Sequence, residues 1–351
     1  MKAERIALAA KRESLEEPAN QIVTEELDRL YIATTVSLKA VAAANKNIYP
    51  EYDRLWQGGI ERGELNITLL NGLIDHSTPQ HKVHPMDDAG YWETLSEMEA
   101  ILAAHPDLKI VQTDPPSDLS KFTVDGKAIT GLTFQNFIDW EFYDWGYPAG
   151  LSASQKLKLR KLVAERLTRR WITFEKKVAV AVGDATAETV KIRIHLYFGV
   201  DDEHEPYHRG IRQADVFLYN GHSYIGEGPL DPENFSDADF PESYQMLFID
   251  SCLSFNYYNQ DYFQFKARGS KDLDIITNGL ESYSDGAGAG QGKFIVALLS
   301  QKTPSYADLL RAASTTGSAY AWGKDALRVV DGELDNSYKP SNTRITISAQ
   351  P

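Results

Sequence analysis

Five short apolar runs lie between residues 176 and 278, and their character limits the fold more than any other feature of the chain. KKVAVAV (176–182) and TVKIRIHLYFG (189–199) read as strands, the second alternating lysine and arginine with aliphatic residues. ADVFLYN (214–220) and YQMLFID (244–250) read as apolar strands, and LDIITN (273–278) as a third. A strand without a polar face has to be covered on both sides, which predicts an α/β fold with a mainly parallel sheet flanked by helices. KFIVALLSQ (293–301) and SYADLLRAAS (305–314) have helical periodicity and follow the last strand. In sheets of this kind, chemistry sits beyond the carboxyl ends of the strands.

Upstream, LNITLLNGL (65–73) and LKIVQ (108–112) read as strands, with a helical stretch from Asp88 to Ala104 between them. Val23, Leu27, Tyr31, Leu38 and Val41 share one face of a helix expected over residues 20–45. The sequence therefore divides into an N-terminal helical region (1–58) and one larger domain (59–345). That domain carries an irregular, aromatic-rich insertion over about 113–175 and a best-defined core over 176–315.

At 351 residues the chain can bury a substantial core, and its formal charge of −14 argues against nucleic acid as a partner. One basic stretch, Lys156–Arg170, reads as an amphipathic helix with Leu157, Val163 and Leu167 inward. No apolar run reaches the roughly 20 residues that span a bilayer, and the first residues lack the apolar core of a signal peptide. The expectation is a soluble protein whose compartment the sequence does not name.

Cys252 is the single cysteine. It cannot form an internal disulfide or build a thiolate metal site alone, so it is either a small buried hydrophobe or a reactive group. Its context favours reactivity. One apolar strand ends FLYNGHSYIG, with His222 just beyond it, and another ends LFIDSCLSF, with Cys252 just beyond it. If the two strands are neighbours, both side chains emerge at one sheet edge. A thiolate is the nucleophile in such chemistry, and a nearby imidazole stabilises it and protonates the leaving amine.

These residues resemble the caspase and metacaspase superfamily of cysteine peptidases. The resemblance rests on Tyr219-Asn220-Gly221-His222-Ser223, on Asp250-Ser251-Cys252-Leu253-Ser254-Phe255, and on GQGKFIVALLSQKTPSYADLLRAAS (290–314). It covers about residues 210–315. By that resemblance the chain is an endopeptidase acting on peptide or protein substrates, with Cys252 as nucleophile and His222 as acid/base, through a thioester acyl-enzyme. The backbone amides of Cys252 and of Ser223 or Gly221 form the oxyanion hole, and Asp250 with Asn220 lines a pocket that selects arginine or lysine before the cut. Calcium at Asp201-Asp202-Glu203 and self-cleavage after Arg268 or Lys271 are further features of such relatives. The short His-to-Cys interval is closest to secreted bacterial members. Two positions depart from the pattern: Ser223 replaces a glycine, and Cys-Leu-Ser-Phe replaces Cys-His-Ser-Gly. They leave open a second reading, an inactive scaffold of the same fold that binds peptides or a partner.

Other motifs lead nowhere catalytic. GAGAGQGK (286–293) lacks the glycine and hydroxyl positions of a phosphate loop and reads as a loop over the active-site edge, entering a helix near Lys293. His76, His81 and His84, and likewise His204 and His208, are spaced irregularly and read as loop histidines, so no metal and no cofactor is expected.

Overall fold

Nine consecutive buried residues make β1 (Glu64–Gly72) an interior strand, although Glu64, Asn66 and Thr68 alternate along one of its faces. The computed structural model describes residues 47–75, 83–282, 286–314 and 328–349. The helix expected over 20–45 lies outside these residues, as do His76 and His81, and of the N-terminal region only the short helix α1 (Tyr52–Trp56) is described in regular structure beyond a single turn residue.

Strand β1 pairs in parallel with β6 (Glu188–Val200) on one side and with β7 (Val216–Asn220) on the other. Beyond β7 follow β8 (Gln245–Asp250) and β9 (Leu273–Asn278), both parallel, and then the antiparallel β10 (Arg328–Asp331). On the far side, β5 (Arg170–Val182) runs antiparallel to β6. Its outer edge takes first β2 (Lys109–Asp114) and then β11 (Ile345–Ala349). The sheet is thus mixed, with a parallel centre, and it is flanked by helices, the α/β class expected.

Alternate side chains feed two cores. On β8, Met246 and Phe248 face one apolar cluster, and Leu247 and Ile249 face the other. The first cluster lies under α2 (Ala89–Ala104), α7 (Ala287–Leu298) and α8 (Tyr306–Ala313), and reaches the insertion. The second lies under α5 (His204–Arg212) and α6 (Ser254–Tyr257), with Tyr207, Tyr257 and Tyr262 buried in it.

Three details differ from the sequence reading. β5 begins at Arg170 and β2 also joins the sheet, so the insertion contracts to 115–169; it holds the hairpin β3 (Lys121–Val124) and β4 (Lys127–Thr130) and helices α3 (Phe134–Phe142) and α4 (Ala153–Leu167). Helix α4 buries Leu159, Val163, Ala164 and Leu167, whereas Leu157 is exposed. The third difference is residues 286–293, which are helix from Ala287 onward and not a loop. Glycine serves there as a spacer: a Cβ on Gly288 would stand 2.1 Å from the carbonyl oxygen of Glu93, and one on Gly292 2.5 Å from that of Glu97. Helix α7 packs on α2 closely enough that only hydrogen fits.

The same contact buries Glu97, which accepts a hydrogen bond from Asn71 Nδ2 at 2.8 Å. Burial pushes its carboxyl up to about 8, nearby Asp250 adding to the shift and Asn71 opposing it. An unfolded glutamate loses its proton near ~4.3. Between these values the folded state binds more protons, so this group's contribution is complete at low pH and is lost as pH rises through about 8. Glu97→Gln removes the titration. Urea melts at pH 5 and pH 8.5 are expected to show the variant gaining on wild type by a few kcal/mol at the higher pH, at about 1.4 kcal/mol per pKa unit. An equal difference at both values would contradict the assignment.

Candidate active site

Parallel pairing sets Asn220 opposite Asp250 across β7 and β8. His222 and Cys252 each follow two residues later, so they leave two neighbouring strands, ~4.8 Å apart, at matching heights. Both are partly exposed. The dyad expected from sequence is brought to one edge of the sheet.

His222 is held from β1. Its Nε2 lies 2.8 Å from the carbonyl oxygen of Ile74, just beyond that strand. A carbonyl only accepts, so Nε2 carries the proton and Nδ1 is left as the basic nitrogen. The Ile74 carbonyl is in turn fixed by Asp88, the buried N-cap of α2. Oδ1 of Asp88 accepts from Ile74 N at 3.0 Å and Gly90 N at 2.8 Å, and Oδ2 accepts from Asp75 N at 3.0 Å. One carboxylate thus ties the start of a helix to the loop that orients the imidazole.

Tyrosines pin the backbone after β7. Tyr219 Oη donates to the His222 carbonyl at 2.8 Å, and Tyr258 Oη donates to that of Ser223. Burial raises the Tyr219 phenol well above its ordinary value; the Tyr207 hydrogen bond opposes this, while Tyr258, Asp201 and Cys252 add smaller upward contributions. Gly221 is required by the close approach of Tyr219, since a Cβ there would sit 2.4 Å from Tyr219 Oη.

After Cys252 the chain turns sharply. Leu253, fully buried, adopts φ 50°, a left-handed conformation costing on the order of 1 kcal/mol for a branched residue. Its amide donates to Leu280 O at 3.0 Å. Ser254 Oγ links the ends of β8 and β9, donating to Ile249 O and accepting from Asn278 N, each at 2.8 Å. Tyr224 and Ile225, after the histidine, also have positive φ. Backbone conformations of this kind gather around both candidate catalytic residues.

Two expected roles need correction. The Gly221 amide donates to Asp250 O at 3.4 Å, extending the sheet ladder, so it is not aimed at an oxyanion. Because Tyr219 draws the His222 carbonyl inward, the trans peptide turns the Ser223 N–H the opposite way. Asp250 is not the floor of an open cationic pocket. It is 1% exposed, accepts from Asn278 Nδ2 (2.5 Å) and Ser282 Oγ (2.7 Å), and pairs with Arg328 Nη2 at 3.0 Å. Asn220 is buried as well, its Nδ2 without a partner among the described residues.

His204 and His208 lie on α5, and His208 Nδ1 is 2.9 Å from Asp239 Oδ1. Asp201 O accepts from Tyr207, while Glu203 accepts from the Asp201 amide and pairs with Arg169 at 2.7 Å. Among the described residues no three His, Cys, Asp or Glu side chains converge as a metal cluster, and no helix is long and apolar enough to cross a membrane. Lys271 lies in the 3₁₀ turn Gly269–Asp272, which Arg268 precedes; Arg268 is bonded to Asp272, and the Lys271 carbonyl accepts from Arg54 at 2.7 Å. A cavity of about 740 Å³ lies against β2, at the far edge of the sheet from the dyad.

Asp88, Tyr219, Tyr258, Ser282 and Arg328 were not singled out from sequence as site residues. An aspartate immediately before a helical pattern signals an N-cap, which makes Asp88 legible as a cap but not as the anchor of Ile74. Comparison with protein-family models, with curated proteins and with solved structures gave no match.

Proposed function

We propose that the chain is a cysteine endopeptidase in which Cys252 and His222 hydrolyse peptide bonds. The observation that carries this reading is the anchoring of His222 Nε2 on the Ile74 carbonyl, one strand from a partly exposed cysteine. Anchoring fixes one tautomer and leaves Nδ1 to exchange protons. It also stabilises the imidazolium that forms when the thiol proton moves to Nδ1.

The thiolate attacks the substrate carbonyl carbon, and the oxyanion is bound by the amides of Cys252 and Ser223. Nδ1–H then protonates the departing nitrogen, the C–N bond breaks and a thioester remains. Water attacks the thioester as Nδ1 takes its proton, and the thiolate leaves. Incubation with a complex peptide pool, followed by mass-spectrometric mapping of new termini, tests the reading. New termini should appear with wild type and be absent with Cys252→Ala; identical patterns from both would sink it.

Asp88 is a positioning residue in this scheme. Asp88→Ala is expected to lower kcat by about 10²-fold with little change in KM, since a displacement of ~1 Å costs about that much. Asp88→Asn keeps an oxygen for Ile74 N and should fall between. Full kcat in both variants would contradict the role.

A further inference from the structure

Strand β10 is antiparallel to β9, so its first residue arrives at the edge where the parallel strands end. That residue, Arg328, stands opposite Asn278 in register. Its guanidinium reaches back to Asp250 Oδ2 at 3.0 Å, donates to Ser314 Oγ at 3.0 Å and lies 5.2 Å from the Phe248 ring centre. Both members of the pair are almost sealed from solvent, with side chains 3% and 1% exposed. Nε finds no acceptor among the described residues, so the contact is a single hydrogen bond between ions and not a two-pronged clasp.

The pair lies one residue from the sulfur. Ser282 donates its hydroxyl to Asp250 at 2.7 Å, and its carbonyl lies 3.6 Å from Cys252 Sγ, within reach of the thiol. A carboxylate so close to the nucleophile would select a cationic side chain if it were accessible. In this fold a guanidinium belonging to the chain already neutralises it.

We propose that Arg328 is the specificity-determining residue of the site: it occupies the Asp250 subsite from within and closes it to arginine and lysine side chains of substrates. The proposal rests on the peptidase reading for its meaning, though not for its test. Buried ion pairs behave asymmetrically, since removing one partner leaves the other charge desolvated and unpaired. Arg328→Ala therefore creates a vacancy for a guanidinium, and a small external one should fill it.

The full-length protein is titrated with ethylguanidinium, and with neutral ethylurea as the shape control, at low millimolar concentration while the melting temperature is followed. Arg328→Ala should melt lower than wild type and recover by several degrees with ethylguanidinium only. Wild type, and the Asp250→Asn/Arg328→Ala double variant, should not respond. A parallel assay compares peptides differing only in arginine or leucine before the cut. Arg328→Ala should raise the arginine-to-leucine ratio of kcat/KM by about tenfold or more, the scale of a charge-assisted pair.

If Arg328→Ala does not fold, Arg328→Gln is titrated in its place. Equal responses of wild type and the variant to ethylguanidinium, or none from either, would overturn the proposal. Rescue by ethylguanidinium with no peptide cleavage by any form would uphold the cation subsite while removing the peptidase reading.

Discussion

Cys252→Ala is expected to lower peptide hydrolysis by about 10³-fold or more, His222→Ala by a similar factor, and the double variant by little beyond either single one. The reason is sequential dependence. Without the sulfur no acyl-enzyme forms, and without Nδ1 neither the departing amine nor the incoming water is served. Neither side chain belongs to the two apolar clusters, and Cys252 is partly exposed, so the fold should survive both substitutions. Steady-state kinetics on one fluorogenic peptide, with circular dichroism and melting curves as controls, supplies the measurement. Multiplying losses would mean that the two residues act independently, contrary to a dyad.

Gly288→Val should be the most damaging substitution for stability. The added Cβ would stand 2.1 Å from the Glu93 carbonyl oxygen and 2.7 Å from its carbon, both backbone atoms that cannot rotate away. Helix α7 would have to lift from α2, opening the first core and separating Gln291 from the Tyr219 carbonyl, which it meets at 2.9 Å. Ordinary overpacking costs ~1–3 kcal/mol, and a backbone clash between two buried helices should exceed that. Lys293→Val, on the exposed face of the same helix, should cost only about 0.5 kcal/mol from helix propensity. Denaturant melts of the two variants check the contrast. A Gly288→Val protein within about 1 kcal/mol of wild type would show that the helices are not in tight contact.

The strands were legible because ADVFLYN and YQMLFID are largely apolar on both faces, which only an interior parallel strand requires, and LDIITN places aliphatic residues on both of its faces. The positions of His222 and Cys252 followed, since both lie just past such runs. Gly288 and Gly292 misled because isolated glycine ordinarily marks a loop; a helix that uses glycine for closeness looks the same in one dimension. Asp250 misled for a related reason. Its carboxylate is near the nucleophile, as the motif suggested, but its partner lies 78 residues away on an antiparallel edge strand. Asp88 and Ile74, 14 residues apart, meet only because α2 packs against the end of β1, where a Cβ on Gly90 would touch Gly72 O. Backbone carbonyls leave no mark in sequence, so the Ile74 anchor had none to leave.

The central claim is that His222 activates Cys252 within a substrate-binding cleft, and covalent labelling tests it most directly. Wild type and His222→Ala are each treated with a peptidyl acyloxymethyl ketone bearing leucine, with its arginine counterpart, and with iodoacetamide, and intact mass is followed over time. Wild type should be labelled at Cys252 by the leucine reagent at least about 10²-fold faster than His222→Ala, whereas iodoacetamide should discriminate far less between the two. Labelling of Cys252 by either peptidyl reagent no faster in wild type than in His222→Ala would contradict the account.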